Sequence, residues 1–114
     1  MRHYETMFIL KPTLTAEEAQ ARIEFFKSII VREGGEVAGV EDWGVKQLAY
    51  RIDNKYDRGH YVVIYFKAPS KLIPELERNL RVTEDVIRFI IIKYQRQVEL
   101  KAWNKMVEKA NKVA

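Results

Sequence analysis

Few residues in this sequence carry reactive chemistry, and they are widely spaced. His3 and His60 are the only histidines and cysteine is absent, which excludes thiolate nucleophiles, disulfides and Cys-based zinc or iron–sulfur centres. Each histidine opens a run of extended character. If those runs pair antiparallel, the two rings stand at opposite ends of a sheet, too far apart to share a metal. The acid pairs Glu17-Glu18 and Glu41-Asp42 read as a helix cap and a solvated turn, and there is no Gly-rich phosphate loop or Gly-x-Ser-x-Gly elbow. The pattern predicts no enzyme, no metal site, no cofactor and no small-molecule substrate.

Positive charge is the more promising chemistry. The formal net charge is +4, and from Lys93 onward Lys93, Arg96, Lys101, Lys105, Lys109 and Lys112 meet only Glu99 and Glu108, so the C-terminal end holds the whole excess. Such an end suits a polyanion such as nucleic acid; a solvated lysine-rich helix has the same composition.

These groups must be positioned by a small set of elements. A chain of 114 residues, 47% hydrophobic and 32% charged, is long enough for one core. It has no apolar run near the ~20 residues that cross a bilayer, and its first residues lack the pattern of a secretory signal. The expectation is a globular cytoplasmic protein with no membrane association.

His3 to Leu10 reads as a strand stopped by Lys11-Pro12. Thr15-Ala-Glu-Glu18 has capping-box spacing, followed by Ala19, Ile23, Phe26 and Ile30 at helical intervals up to Gly34-Gly35. Glu36 to Ile52 is extended, with Asp53 to Gly59 as a hairpin loop into the strand His60 to Phe66. Ser70 is a candidate N-cap for a second helix striped with Leu72, Ile73, Leu76 and Leu80, and Ile87 to Lys93 is the last strand. Val98, Ala102, Met106, Ala110 and Val113 suit one side of a helical tail.

The order strand, helix, strand, strand, helix, strand matches an α+β, ferredoxin-like split βαβ plan: a four-stranded antiparallel sheet with two helices on one face. The domain spans residues 1–95, and 96–114 form a basic tail. Alternation directs Phe8, Leu10, Val62, Ile64, Phe66, Ile87, Phe89 and Ile91 toward the helices. The opposite face then shows Met7, Ile9, Tyr61, Val63, Tyr65, Ile90, Ile92 and Tyr94. That is more apolar surface than a monomer leaves bare, so either the chain's own tail or another molecule covers it.

The same pairing gathers Arg2, Lys67, Lys93 and Arg96 at one sheet end beside Tyr4 and Tyr94, a set suited to phosphate contact and base or sugar stacking on RNA. Arg58 to Tyr65 partly overlays the RNA-recognition-motif signature, but His60 and Val62 stand where that module places stacking aromatics. A single-stranded RNA binder and a homodimer closed on its open sheet both remain open as alternatives.

Met1-Arg-His-Tyr-Glu5, Glu41-Asp-Trp-Gly-Val-Lys-Gln-Leu-Ala-Tyr50 with Ile52, His60-Tyr-Val62 and Val86-Ile-Arg88 together resemble the bacterial small-subunit ribosomal protein six family over about residues 1–95. One departure is Arg51, where the family commonly has Pro. The resemblance implies a non-enzymatic protein of the small (30S) ribosomal subunit. It implies binding to the central domain of 16S rRNA jointly with ribosomal protein eighteen of that subunit, which would cover the open face. With the charge pattern, it selects Arg2, Tyr4, Arg88, Lys93 and Arg96 for RNA and Met7, Ile9, Leu48, Val63, Tyr65 and Ile90 for the partner protein. In the Glu41–Ile52 stretch Gly44 is expected to bend or bulge the strand and Trp43 to pack at the kink. Leu48, Tyr50 and Ile52 would hold the far half beside the third strand, while the near half projects past the sheet.

Overall fold

The computed structural model describes residues 1–52 and 55–113, with the side chains of Tyr50 and Val113 left aside. β1 (Arg2–Leu10), α1 (Ala16–Arg32), β2 (Glu36–Ile52), β3 (Tyr56–Ala68), α2 (Leu72–Val82) and β4 (Val86–Tyr94) form the ferredoxin-like unit, and α3 (Gln97–Val113) follows. The four strands are antiparallel in the order β2-β3-β1-β4.

α1 starts where its spacing predicts. The Thr15 hydroxyl accepts from the Glu18 amide at 3.1 Å, and the Glu18 carboxylate accepts from the Thr15 amide at 2.8 Å, so two amides that the helix leaves unpaired are satisfied. α2 begins at Leu72 with no side-chain cap; Ser70 does not serve as one.

Alternation sorts the faces as expected in the two central strands. Phe8, Leu10, Val62, Ile64 and Phe66 join Ile23, Phe26, Ile30, Leu72, Leu76 and Leu80 in the main core, and Tyr4, expected at the RNA edge, is buried there with them. In β4 a register shift places Val86, not Ile87, opposite Leu10, so Val86 joins Phe89 and Ile91 against the helices, and the inward assignment of Ile87 is corrected. A bulged strand carries one extra residue, which reverses alternation beyond it.

β2 and β3 go on pairing past the Leu10 end of β1, as far as Ile52 opposite Tyr56. The half of β2 before Gly44 lies against the body of β3, from Glu36 opposite Lys67 to Asp42 opposite Val62. The half after it, from Val45 opposite His60, runs past Leu10, the last β1 residue paired with β3. The far half does lie beside β3, with Ile52 opposite Tyr56 as expected, but it is this half and not the near one that projects past the sheet. β3 already begins at Tyr56, so the expected loop over 53–59 is largely strand; residues 53 and 54 lie outside the described residues. Gly44 sits at a register shift with φ +72°, the left-handed region in which a side chain is strained, and so bends the strand as its type suggests. Glu41-Asp42 belongs to β2 rather than to a turn.

Candidate partner and nucleic-acid interface

α3 lies on the second face of the sheet. Trp103, Met106, Val107 and Ala110 repeat at helical spacing and face the strands, while Val98, at 79% exposed, and Ala102 point to water. The apolar stripe is thus offset from the one expected. Trp103 is its centre: buried, with its indole N–H donating to the Tyr4 carbonyl at 2.9 Å and its ring meeting the His3 ring edge-on at 4.6 Å. At the other end the Asn111 amide donates to the Ala38 carbonyl at 3.2 Å. The helix lies directly over Gly39, where a Cβ would stand in ordinary van der Waals contact with Ala110, 3.5 Å from its Cβ.

Val63 and Tyr65 are covered by this helix and form a second core with Trp103 and Ala110. Both therefore leave the set of side chains expected to meet a partner protein. Burial also marks their neighbourhood electrostatically. The Tyr65 phenol is pushed well above its ordinary range by desolvation and then by the Glu41 and Glu5 charges. That of Tyr94 is raised by desolvation and by its 2.9 Å hydrogen bond to Glu5. His3 is lowered, first by burial and then by Lys67 and the N-terminal ammonium, because its charged form has lost water and faces like charge.

The rest of the second face stays open. A cleft of about 260 Å³ is lined by Met7, Ile9, Leu48, Tyr61, Arg88 and Ile90. Beside it Ile90 and Ile92 remain 51% and 38% exposed. Trp43 belongs here, not to the core: it is 43% exposed, stacked on Tyr61 at 6.1 Å, with its indole N–H donating to Glu41 at 2.8 Å. The projecting half of β2 supplies one wall through Leu48 and Ile52. Of the side chains expected to meet a partner protein, Met7, Ile9, Leu48 and Ile90 converge on this cleft.

The basic residues divide. Arg2 pairs in register with Ala68, His3 with Lys67 and Tyr94, and Tyr4 with Lys93, which brings Arg2, Lys67, Lys93 and Arg96 to one sheet end. Arg88 stands opposite Ile9, five residues or roughly 17 Å along β4 from Lys93. It does not belong to that edge. Tyr4 faces the main core, 4% exposed and stacked on Phe66 at 5.4 Å, so it cannot stack an RNA base. His3 and His60 lie seven positions, roughly 23 Å, apart along β1 and its β3 partner. Among the described residues no group of three or more His, Asp or Glu side chains could hold a metal ion.

The residue that sequence reasoning missed is Trp103. Its spacing to Met106, Val107 and Ala110 was present as a signal, and so was its size. Met106 and Ala110 of the expected stripe do pack on the sheet, while its Val98 and Ala102 end faces water and Trp103 and Val107 take their place.

A ferredoxin-like sheet with a half-covered second face, flanked by basic groups, defines an α+β binding module. The family profile described as Ribosomal protein S6 matches residues 3–93. Small ribosomal subunit protein bS6 of a Nitratiruptor species is 57% identical over 114 residues, covering 100% of this chain and 88% of that one. The bS6 protein of Campylobacter lari is 57% identical over 106 residues, covering 93% and 85%. The crystal structure of 30S ribosomal protein S6 from Thermotoga maritima superposes with a TM-score of 0.80 at 33% identity, covering 94% and 97%. A domain of a Thermotoga maritima chemotaxis kinase, with a TM-score of 0.53 at 19% identity, shares the fold alone. The chain belongs to the ribosomal protein S6 family: a structural, non-enzymatic protein of the small ribosomal subunit, placed on cytoplasmic ribosomes.

Proposed function

We propose that the chain binds the central domain of 16S rRNA together with ribosomal protein eighteen of the small subunit. The observation that carries this reading is the open half of the second sheet face. Ile90 lines a cleft that α3 leaves uncovered, with Ile92 and Trp43 exposed on the same face, in a protein whose family works inside an assembly. Exposed apolar groups of this kind, rimmed by charge, mark a protein-binding surface. The partner protein is assigned to Met7, Ile9, Leu48 and Ile90, extended by Trp43, Tyr61 and Ile92. RNA contact is assigned to the edge of Arg2, Lys93 and Arg96 with Lys67, and separately to Arg88 at the opposite sheet end, where a second strand of a folded junction can be reached. Positioning by phosphate contacts and RNA shape is the expected mode, since the edge offers point charges and few base-reading groups.

Two measurements test this. Ile90→Glu places a charge in the cleft wall and is expected to weaken association with ribosomal protein eighteen by about 2 kcal/mol or more, roughly 30-fold, in titration calorimetry. Arg2→Ala combined with Lys93→Ala is expected to leave that association intact, weaken binding to a central-domain rRNA fragment and flatten its salt dependence. Full affinity in the first variant, or an unaltered salt slope in the second, counts against the corresponding surface. A chain that sediments as a dimer by itself and ignores ribosomal protein eighteen would favour closure of the sheet on a second copy.

A further inference from the structure

The outward side of α3 is a lysine ridge. Because Trp103, Met106, Val107 and Ala110 point at the sheet, the opposite side of the helix carries Lys101, Lys105, Lys109 and Lys112, all exposed. Their spacing is four, four and three residues, so they form one row about 16 Å long with a charge every ~6 Å or less. None of the four pairs with a carboxylate among the described residues. Glu99 is engaged elsewhere: its carboxylate accepts from the Gln95 and Arg96 amides at 2.9 Å each, capping the helix start, and those bonds hold its pKa below the usual range. Glu108 is the one carboxylate within the row.

We propose that this ridge is a second RNA-backbone contact, continuous with the basic sheet end and held rigid by the Trp103 socket. It rests on the RNA-binding reading above. Three features select a phosphate backbone as the occupant. The row meets the sheet edge at Arg96, one residue before α3 begins, so the two surfaces form a single basic track. It has no apolar centre apart from Val98, whereas protein interfaces are depleted in lysine and organised around apolar side chains. The helix has already spent its apolar stripe on the sheet, leaving nothing to insert into a membrane surface. Lysines are flexible point charges, so the ridge adds affinity without reading sequence. Docking on the sheet means that the charges are ordered before RNA arrives, which lowers the entropy cost of contact.

The test replaces Lys101, Lys105, Lys109 and Lys112 together by Gln, a residue of similar helix propensity. Binding of the full chain with ribosomal protein eighteen to a central-domain rRNA fragment is then followed against salt concentration. The expected result is a log–log salt slope shallower by about 2 to 3 and an affinity loss of about 40- to 300-fold at 0.15 M salt. Glu108→Gln, which removes the opposing charge without touching the lysines, is expected to tighten binding a few-fold and is the check if the quadruple variant loses its helix by circular dichroism. Unchanged slopes in the ridge variants, with the Arg2/Lys93 variant still losing slope, overturn the ridge alone. If none of these variants moves the slope, the RNA reading itself fails. Loss of association with ribosomal protein eighteen in the absence of RNA would make the ridge a protein contact and also overturn the proposal.

Discussion

Replacing Trp103 by alanine isolates what α3 contributes. The side chain is buried between helix and sheet and makes its one polar contact at the Tyr4 carbonyl, 99 positions away in the chain. An indole buries about 150–250 Å², which at ~25 cal/mol per Å² sets an upper estimate of roughly 4–6 kcal/mol. Core Trp→Ala replacements cost about 3–5 kcal/mol when the socket cannot collapse. Here the helix has a second option. An isolated helix of 17 residues is marginal in water, so once Trp103 is gone α3 is expected to detach and unfold rather than bridge a cavity. The expected outcome is a loss of about 3 kcal/mol in denaturant unfolding, reduced far-UV helical signal and collapsed amide protection confined to α3. Protection of α1 and α2, which pack on the opposite face, should keep its native pattern. Val63 and Tyr65 would then be exposed, and a hydrophobic dye should bind the variant more strongly than the parent, whose apolar surface is confined to the open half of that face. A cost under ~1 kcal/mol with α3 amides still protected would refute the view that this tryptophan holds the helix.

Other outcomes follow from the same geometry. In the alkaline range stability should decline as pH rises above about 10, because tyrosines of the unfolded chain ionise there while Tyr65 and Tyr94, raised in the fold, stay protonated. Absorbance at the phenolate band should show Tyr65 and Tyr94 titrating only with unfolding. His3 is lowered, so the fold favours its neutral form: the stability tied to it is present above 6.5 and is lost as pH falls below it. The His3 ring resonances should titrate with a midpoint below 6.5 in the parent and move back toward it in Trp103→Ala. Thr15→Ala should cost about 1 kcal/mol in thermal or denaturant unfolding through loss of the capping box.

Much of the framework is legible in the chain alone, because it depends on contacts close in sequence or on strict alternation. The Thr15–Glu18 box, the stripe from Ala19 to Ile30 and the alternation of Tyr61, Val63 and Tyr65 with Val62, Ile64 and Phe66 each follow from a period of 3.6 or 2. They therefore survive any tertiary arrangement that buries one face. The candidate surfaces were less legible. Tyr4 has the right type and chain position for RNA, yet its place in the alternation turns it onto Phe66. Arg88 shares β4 with Lys93 but stands at the other end of the strand.

What the sequence by itself determined is the element order, the two faces of the central strands, the absence of cysteine chemistry and the likeness to one ribosomal family. The tertiary structure alone decided that half of the second face is roofed by α3, that Trp43 stays in the open while Trp103 is buried, and that the far half of β2 projects. The physical reason lies in sequence distance. Trp103 bonds to Tyr4 across nearly the whole chain, and the irregularities at Gly44 and Ile87 shift register by single residues. Such choices between nearly equivalent faces are set by packing between distant segments, which no local period encodes.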